Sequence, residues 1–266
     1  MIVHNFSPVL VDFGFFQIKW YSIAYIIGII LGWIYATKII KKTSENNYNY
    51  KSIKKSDFDD LILYLILGII IGGRIGYIVF YNIEYYSHNF LEIFKVWEGG
   101  MSFHGGLLGV ILATFLFSKK TNNNFFKFSD IISCVAPIGI FLGRLANFIN
   151  AELYGKISTV PWAVIFPNVD SMPRHPSQLY EAILEGLVLF LIINFLALKK
   201  GLIFKTGFIS AFFLIAYSVL RIFSEIFREP DAQLGLLFNN FSMGTLLSLL
   251  TIIIGLFIAK SIKKNE

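Results

Sequence analysis

One cysteine in 266 residues, Cys134, excludes an intrachain disulfide and any cysteine-rich metal site. It lies inside an apolar run, where a buried and inert thiol fits. The four histidines, His4, His88, His104 and His175, are scattered without HExxH or comparable spacing, so no metal is expected. Charge is scarce too, at 15% of residues with a net +6. Such an excess would suit a nucleic-acid binder if it were clustered. Here it sits in the connections between apolar runs, which makes it a topology signal and leaves no nucleic-acid partner expected. There is no repeat of fixed period and no low-complexity linker, so residues 1–266 read as a single integral membrane domain. No small-residue cleavage site closes the first long apolar run, and no removable leader is expected.

What the chain has in abundance is apolar length. Hydrophobic residues make up 56% and aromatics 17%, the mean hydropathy is +0.66, and the apolar residues come in blocks rather than at amphipathic spacing. This is the pattern of an all-α polytopic membrane protein. Seven spans are predicted, at about 20–38, 58–81, 105–118, 130–150, 178–198, 207–227 and 241–259, each near the ~20 residues that ~30 Å of hydrocarbon requires. The third is short. Residues 1–19 are too broken to span and are expected at an interface. Fifteen of the 23 Lys and Arg follow spans one, three, five and seven, from Lys38 to Lys55, Lys119 to Lys127, Lys199 to Lys205 and Lys260 to Lys264. By the positive-inside rule the amino terminus is then outside and the carboxyl terminus cytoplasmic. The outward connections, 82–104 and 151–177, are rich in Trp, Tyr, Pro and Gly and are expected to build small outer-face head elements.

Polar residues inside these spans carry the functional signal. The run GRLANFINAELYG, from Gly143 to Gly155, ends the fourth span and places Arg144, Asn147 and Asn150 three residues apart, as one polar stripe on a helix. A charged side chain in a span costs roughly 2.5 to 3.5 kcal/mol, so an intramembrane Arg marks a candidate site; the alternative is an Arg paired with a Glu to hold helices together. At ~1.5 Å of rise per residue, Arg144 lies ~21 Å along span four, Arg221 ~21 Å along span six and Arg74 ~26 Å along span two, all outward-running. Tyr21, His104, Gln178 and Glu181 reach the same outer level from the start of inward-running spans. Glu225 is four residues from Arg221 and three from Arg228, close enough to hold a guanidinium. Glu185, deeper in span five, suits a partner for Arg or a neutral acid as well as it suits a catalytic role. The planar Arg fork matches phosphate, so Arg74, Arg144 and Arg221 suggest an anionic lipid head group. In WEGGMSFHGGLLG, glycine pairs on either side of His104 admit a ligand close to an imidazole suited to general-base work.

Together these runs resemble the bacterial prolipoprotein diacylglyceryl transferase family over nearly the whole chain. GRLANFINAELYG is similar to the family signature G-R-x-G-N-F-x-N-x-E-x-x-G, with Ala146 where Gly is usual, and GGRIGYIVFYN, WEGGMSFHGGLLG, RHPSQLYEAILEG and FREPDAQLG are similar to further family blocks. The resemblance implies transfer of the diacylglyceryl group of phosphatidylglycerol to the lipobox cysteine of a prolipoprotein signal peptide, forming a thioether and releasing glycerol phosphate. It implies a site in the outer leaflet of the bacterial cytoplasmic (inner) membrane, bathed in membrane lipid, with no cofactor. By motif, the functional residues carried over are Tyr21 in KWYS, His104 in FHGG, Arg144, Asn147 and Glu152 in the signature, and Arg221 and Glu225 in RIFSEIF. Tyr21, His104, Arg144 and Arg221 form the catalytic candidates; Arg74, Arg144, Asn147, Glu152, Arg221 and Glu225 form the substrate-binding ones. The chemistry fits: a thiol of pKa ~8.5 needs a base, and charge building on a leaving phosphate needs cations. Two rivals stand beside this reading, an anion transporter, which the lack of internal repeats disfavours, and a non-catalytic lipid-binding scaffold.

Overall fold

Residues 2–15, 17–46, 52–230 and 242–265 are described by the computed structural model. Lys51 and the DAQLG run at 231–235 lie outside the described residues, as does position 241, where the seventh span is expected to begin. The long helices are α1 (Trp20–Asn46) and α2 (Lys55–Tyr81). After the short α3 (Ile83–His88) come α4 (Phe103–Lys120) and α5 (Phe125–Ile149). Then follow α6 (Ser177–Lys199), α7 (Phe208–Glu225) and α8 (Met243–Asn265). Among the described residues, six helices are long and apolar enough to cross a membrane; α4, at 18 residues ending in Lys119 and Lys120, is not one of them. Large apolar side chains on the spans stand open: Phe257 is 71% exposed, Leu63 60% and Leu191 58%. Such surface is stable against lipid tails, and the protein is a multi-pass membrane protein.

Several observed helix ends overshoot the predicted spans, while α7 (Phe208–Glu225) stops two residues short of 227. Helix α1 runs eight residues past position 38, and α8 continues through Lys260 and Lys263. Hydropathy marks where hydrocarbon ends, whereas a helix stops only where a breaker or a cap stops it. The all-α expectation also needs correction. Among the described residues, five short strands form two small sheets: β1 (Ile2–Val3) pairs in parallel with β4 (Val164–Ile165), which pairs antiparallel with β5 (Pro173–Arg174). Strands β2 (Val9–Asp12) and β3 (Gln17–Lys19) form a hairpin running directly into α1. Segments of two to four residues are too short for an alternating pattern to be read, yet their backbone groups must still find partners.

The chain divides into two compact units, Met1–Ile39 with Asp130–Glu266, and Ile40–Ser129. In the second unit α2 and α4 meet through glycines. A methyl built on Gly68 would lie 2.6 Å from the carbonyl oxygen of Gly109, and one on Gly76 2.7 Å from the Cα of Gly105. Spaced four apart on both helices, these residues bring backbones together where no hydrophobic force drives association. From within α2, Arg74 gathers the connection leading to α4. Its Nε donates to Ile93 O at 2.9 Å, Nη1 to Gly99 O at 2.6 Å and Gly100 O at 3.2 Å, and Nη2 to Glu92 O at 2.5 Å and Lys95 O at 3.3 Å.

In the first unit, α5 is tied to its neighbours by buried polar side chains. Asp130 accepts from the backbone N–H of Gly207 at 2.6 Å and of Ser210 at 2.8 Å, capping α7 from a distance. Asn194 donates to Cys134 O at 3.0 Å, pinning α6. Above the end of α5 lies a small core of Ala151, Val164 and Phe166, with Phe148 and Tyr154 against it. His4 is buried here and donates from Nε2 to Phe148 O at 2.7 Å, so β1 anchors the chain start over the signature run.

Candidate active site

Helix α5 supplies Arg144 and Asn147, α6 supplies Glu181 and Glu185, and α7 supplies Arg221, Ser224 and Glu225, with Arg228 just beyond. Six of these groups are charged, and at roughly 2.5 to 3.5 kcal/mol each in a span they persist only if they meet one another. They do. Arg144 Nη1 lies 2.9 Å from Glu181 Oε2, and its Nη2 lies 3.2 Å from Glu185 Oε2. Arg221 Nη1 lies 2.8 Å from Glu181 Oε1 and 3.3 Å from Glu185 Oε1, while its Nη2 lies 2.7 Å from Glu225 Oε2. Arg228 Nη1 reaches Glu181 Oε1 at 3.4 Å, and Ser224 Oγ donates to Glu185 Oε1 at 2.8 Å. The result is a closed ring, Arg144–Glu181–Arg221–Glu185, in which each guanidinium touches both carboxylates. Glu181 and Glu185 are wholly buried, whereas the Arg144 side chain keeps 17% of its surface.

The local backbone explains how α6 serves two helices at once. Residues Ala182–Val188 form a π-helical stretch between α-helical turns, a widening that recurs at functional sites. A methyl on Gly186 would sit 2.6 Å from Phe141 Cβ, so α6 and α5 approach closely just where the ring forms. Past α5 the signature turns back on itself. Ala151 (φ 55°) and Leu153 (φ 56°) adopt the left-handed region on either side of Glu152, a conformation that costs roughly 1–2 kcal/mol per non-glycine residue. This turn brings the Glu152 carboxylate back to Asn147 Nδ2 at 3.3 Å and Asn150 Nδ2 at 3.4 Å. Gln178, fully buried at the start of α6, donates to Glu152 O at 2.6 Å. Gly155 closes the signature with its N–H on His175 O at 3.0 Å, and a methyl there would lie 2.6 Å from Phe227 O.

The connection that follows is held by Arg174 and by a Trp–Tyr–His chain. Arg174 contacts Asp170 at 2.5 Å and Glu229 at 3.3 Å, donates to Gly155 O at 3.1 Å, and lies 4.8 Å over the Tyr154 ring. The Arg174 guanidinium holds the Asp170 carboxyl below the usual carboxylate range. Trp162 Nε1 donates to the Tyr180 hydroxyl at 2.6 Å, and that hydroxyl lies 3.1 Å from His175 Nδ1. Burial, and then the charge of Lys156, push the His175 imidazole below its ordinary pKa.

Of the residues singled out from sequence, Arg144, Arg221 and Glu225 come together in one network, and Asn147 with Glu152 forms a bonded pair beside it on the same helix end. Tyr21 opens α1 with its ring 5.1 Å from that of Tyr25, which interacts electrostatically with Arg144. His104 belongs to the other unit, in the exposed first turn of α4, where Ser102 Oγ accepts from Gly105 N at 3.2 Å. Arg74, offered as a phosphate ligand, has each of its five N–H donors on a backbone carbonyl. Sequence reasoning did not identify Ser224, whose hydroxyl donates to the Glu185 carboxylate. The signal for Ser224 was present as its i, i+3 spacing from Arg221 on one face of α7.

Comparison with known proteins gives the family. Residues 8–260 match the model of the family described as prolipoprotein diacylglyceryl transferase. The phosphatidylglycerol–prolipoprotein diacylglyceryl transferase of Rickettsia typhi is 48% identical over 258 residues, covering 97% of each chain. That of Rickettsia canadensis is 49% identical over 255 residues, covering 96% of each. That of Rickettsia bellii is 47% identical over 258 residues, 97% of this chain and 96% of its own. With a family match over residues 8–260 and 47–49% identity to relatives along almost its full length, the chain belongs to the prolipoprotein diacylglyceryl transferase family.

Proposed function

We infer that the protein is a transferase that moves the diacylglyceryl group of phosphatidylglycerol onto the lipobox cysteine thiol of a prolipoprotein, the first step of lipoprotein maturation. The observation that carries this reading is the pair Arg144 and Arg221, side by side in the first unit, each with N–H donors that no described residue takes up. The proposed step is a displacement. His104 accepts the thiol proton, sulfur forms a bond to the glycerol carbon that carries the phosphate, and the carbon–oxygen bond breaks with its electron pair leaving on the phosphate oxygen. Arg144 and Arg221 stabilise that oxygen as charge builds on it, and glycerol phosphate departs. Tyr21, Asn147, Glu152 and Glu225 complete the head-group contacts, and Arg74 acts by holding the 92–100 connection in shape.

The setting that goes with this chemistry is one integral membrane domain of the bacterial inner membrane with seven spans. Helix α4 is the seventh: 18 residues at ~1.5 Å of rise give ~27 Å, close to the hydrocarbon thickness. The amino terminus faces outward, the carboxyl terminus faces the cytoplasm, and the site opens to the outer leaflet. The test is transfer from phosphatidylglycerol to a lipobox peptide by the purified protein. Arg144→Lys and Arg221→Lys keep the charge and remove the fork, and each is expected to lower transfer at least ten-fold. His104→Gln is expected to lower it by roughly 10² to 10⁴, with the deficit narrowing as pH approaches the thiol pKa. Full activity in both lysine variants would refute the shared phosphate.

A further inference from the structure

The two carboxylates at the centre of the ring are assigned no part in the reaction so far, and their geometry gives them one. We propose that Glu181 and Glu185 are positioning residues for the transfer, an inference that rests on the function proposed above. Side by side, the Arg144 and Arg221 guanidiniums repel each other, and nothing on α5 or α7 alone fixes the angle between them. Both carboxylates come from one helix, four residues apart, and each is gripped by both arginines: Glu181 at 2.9 Å and 2.8 Å, Glu185 at 3.2 Å and 3.3 Å. The Glu185 carboxylate is fixed further by the Ser224 hydroxyl at 2.8 Å.

Arg144 gives its contacts through Nη1 and Nη2, and Arg221 likewise. Among the described residues the Nε of each has no hydrogen-bond partner. A guanidinium offers bidentate recognition along two edges. With Nη1 and Nη2 of Arg144 on Glu181 and Glu185, and Nη1 of Arg221 on both carboxylates while its Nη2 meets Glu225, the Nε of each arginine is left to meet an anion, in a relative orientation set chiefly by α6. The contrast with Arg74, whose five donors are all taken, shows which arginines the fold reserves.

Charge gives the carboxylates a second effect. Arg144, Arg221 and Arg228 carry three positive charges, and Glu181, Glu185 and Glu225 three negative ones. A cluster that is neutral before the lipid arrives binds a phosphate through directed hydrogen bonds rather than through excess charge, and so releases the phosphate product. Neutralising one glutamate leaves the cluster at plus one, which favours anion retention while loosening the aim.

The experiment uses the full chain with phosphatidylglycerol and a lipobox peptide, comparing Glu181→Gln, Glu185→Gln, Glu181→Asp and Glu185→Asp. Initial rates are referred to folded protein, and inhibition is measured with inorganic phosphate. The Gln variants are expected to lower kcat about 10- to 100-fold, in line with the ~10² that a ~1 Å misplacement costs, while binding phosphate several-fold more tightly. The Asp variants keep the charge and withdraw the carboxylate by one methylene, so kcat falls while phosphate affinity stays at the wild-type value. Wild-type kcat per folded molecule in both Gln variants overturns the proposal. So does a fall in kcat with unchanged phosphate affinity in the Gln variants, the mark of a purely structural role. If the Gln variants fail to fold, the Asp variants decide, since unaltered kcat in them refutes positioning. Absence of transfer by the unsubstituted protein would instead refute the function on which this rests.

Discussion

His175 is the residue through which pH reaches the 151–177 connection. Its Nδ1 faces the Tyr180 hydroxyl, which already accepts from Trp162 and so has its own hydrogen to give. Burial, and after it the nearby Lys156 charge, depress the folded pKa below the ordinary 6.5. The sign follows: a depressed folded pKa means the unfolded chain binds the proton first, so the contribution to stability is present above 6.5 and is lost as pH falls through the lower folded value. Asp170, also depressed, adds stability above 3.8 that is lost at still lower pH. Lys156→Gln is expected to move the His175 pKa upward but to leave it under 6.5, because burial is the larger cause; an imidazole proton titration by NMR measures both. A value unmoved by the substitution would show that Lys156 contributes nothing. At this scale much of the site was legible. Arg144, Asn147 and Asn150 stood out because polar residues three apart in hydrocarbon have one explanation as a stripe, and Glu225 was tied to Arg221 by its four-residue spacing, which the 2.7 Å contact matches. That Arg74 donates to five backbone carbonyls was not legible, because carbonyls carry no sequence identity. That Glu181 and Glu185 each serve two arginines was beyond reach for a related reason: it depends on how α6 is rotated between α5 and α7.

Among elements, the α2–α4 pair shows how a sequence can carry a packing instruction that hydropathy ignores. The spacing of Gly68, Gly72 and Gly76, matched by Gly105 and Gly109, is a small-residue stripe of the kind that lets spans touch backbone to backbone. Sequence analysis used the glycines around His104 only to admit a ligand close to its imidazole, and so found the helices without finding their interface. The two uses are separable by experiment. At Gly109 an added methyl meets the Gly68 carbonyl, and helix backbone cannot step aside cheaply; at Gly139 in α5 nothing lies within 4 Å. Gly109→Ala is therefore expected to destabilise by about 1–3 kcal/mol through overpacking, whereas Gly139→Ala should be neutral or stabilising by up to about 1 kcal/mol from helix propensity. Thermal unfolding in detergent, with each variant against the parent protein, gives the comparison. Equal midpoints for the two substitutions would mean that α2 and α4 are not in backbone contact. The same scale explains the missed strands. Pairs such as Val164 with Arg174 join segments from a connection whose only sequence signal was Pro, Gly and aromatic content, and two-residue strands are fixed by what they lie against.

For the whole molecule the decisive property is orientation. The helices are visible in the hydropathy, because a run of ~20 apolar residues has few alternatives, but which end faces the cytoplasm depends on charges outside the helices. Lys41, Lys42, Lys54 and Lys55 lie at the ends of α1 and α2. Lys119 and Lys120 close α4, and Lys127 lies in the first turn of α5. Lys199 ends α6, Lys200 and Lys205 lie between α6 and α7, and Lys260 and Lys263 lie in the last part of α8. If α4 crosses as a seventh span, every one of these falls on one side, as retention of positive charge in the cytoplasm demands. If α4 does not cross, the α4–α5 connection moves to the opposite face from the α1–α2 connection, and the bias collapses. Asn122, in the turn between α4 and α5, is therefore the position where the two arrangements differ. A cysteine introduced there in a Cys134→Ala background is expected to resist a membrane-impermeant thiol reagent in intact cells and to react once the membrane is opened. Reaction in intact cells would remove α4 from the spans and, with it, the outer-leaflet placement of Arg144 and Arg221.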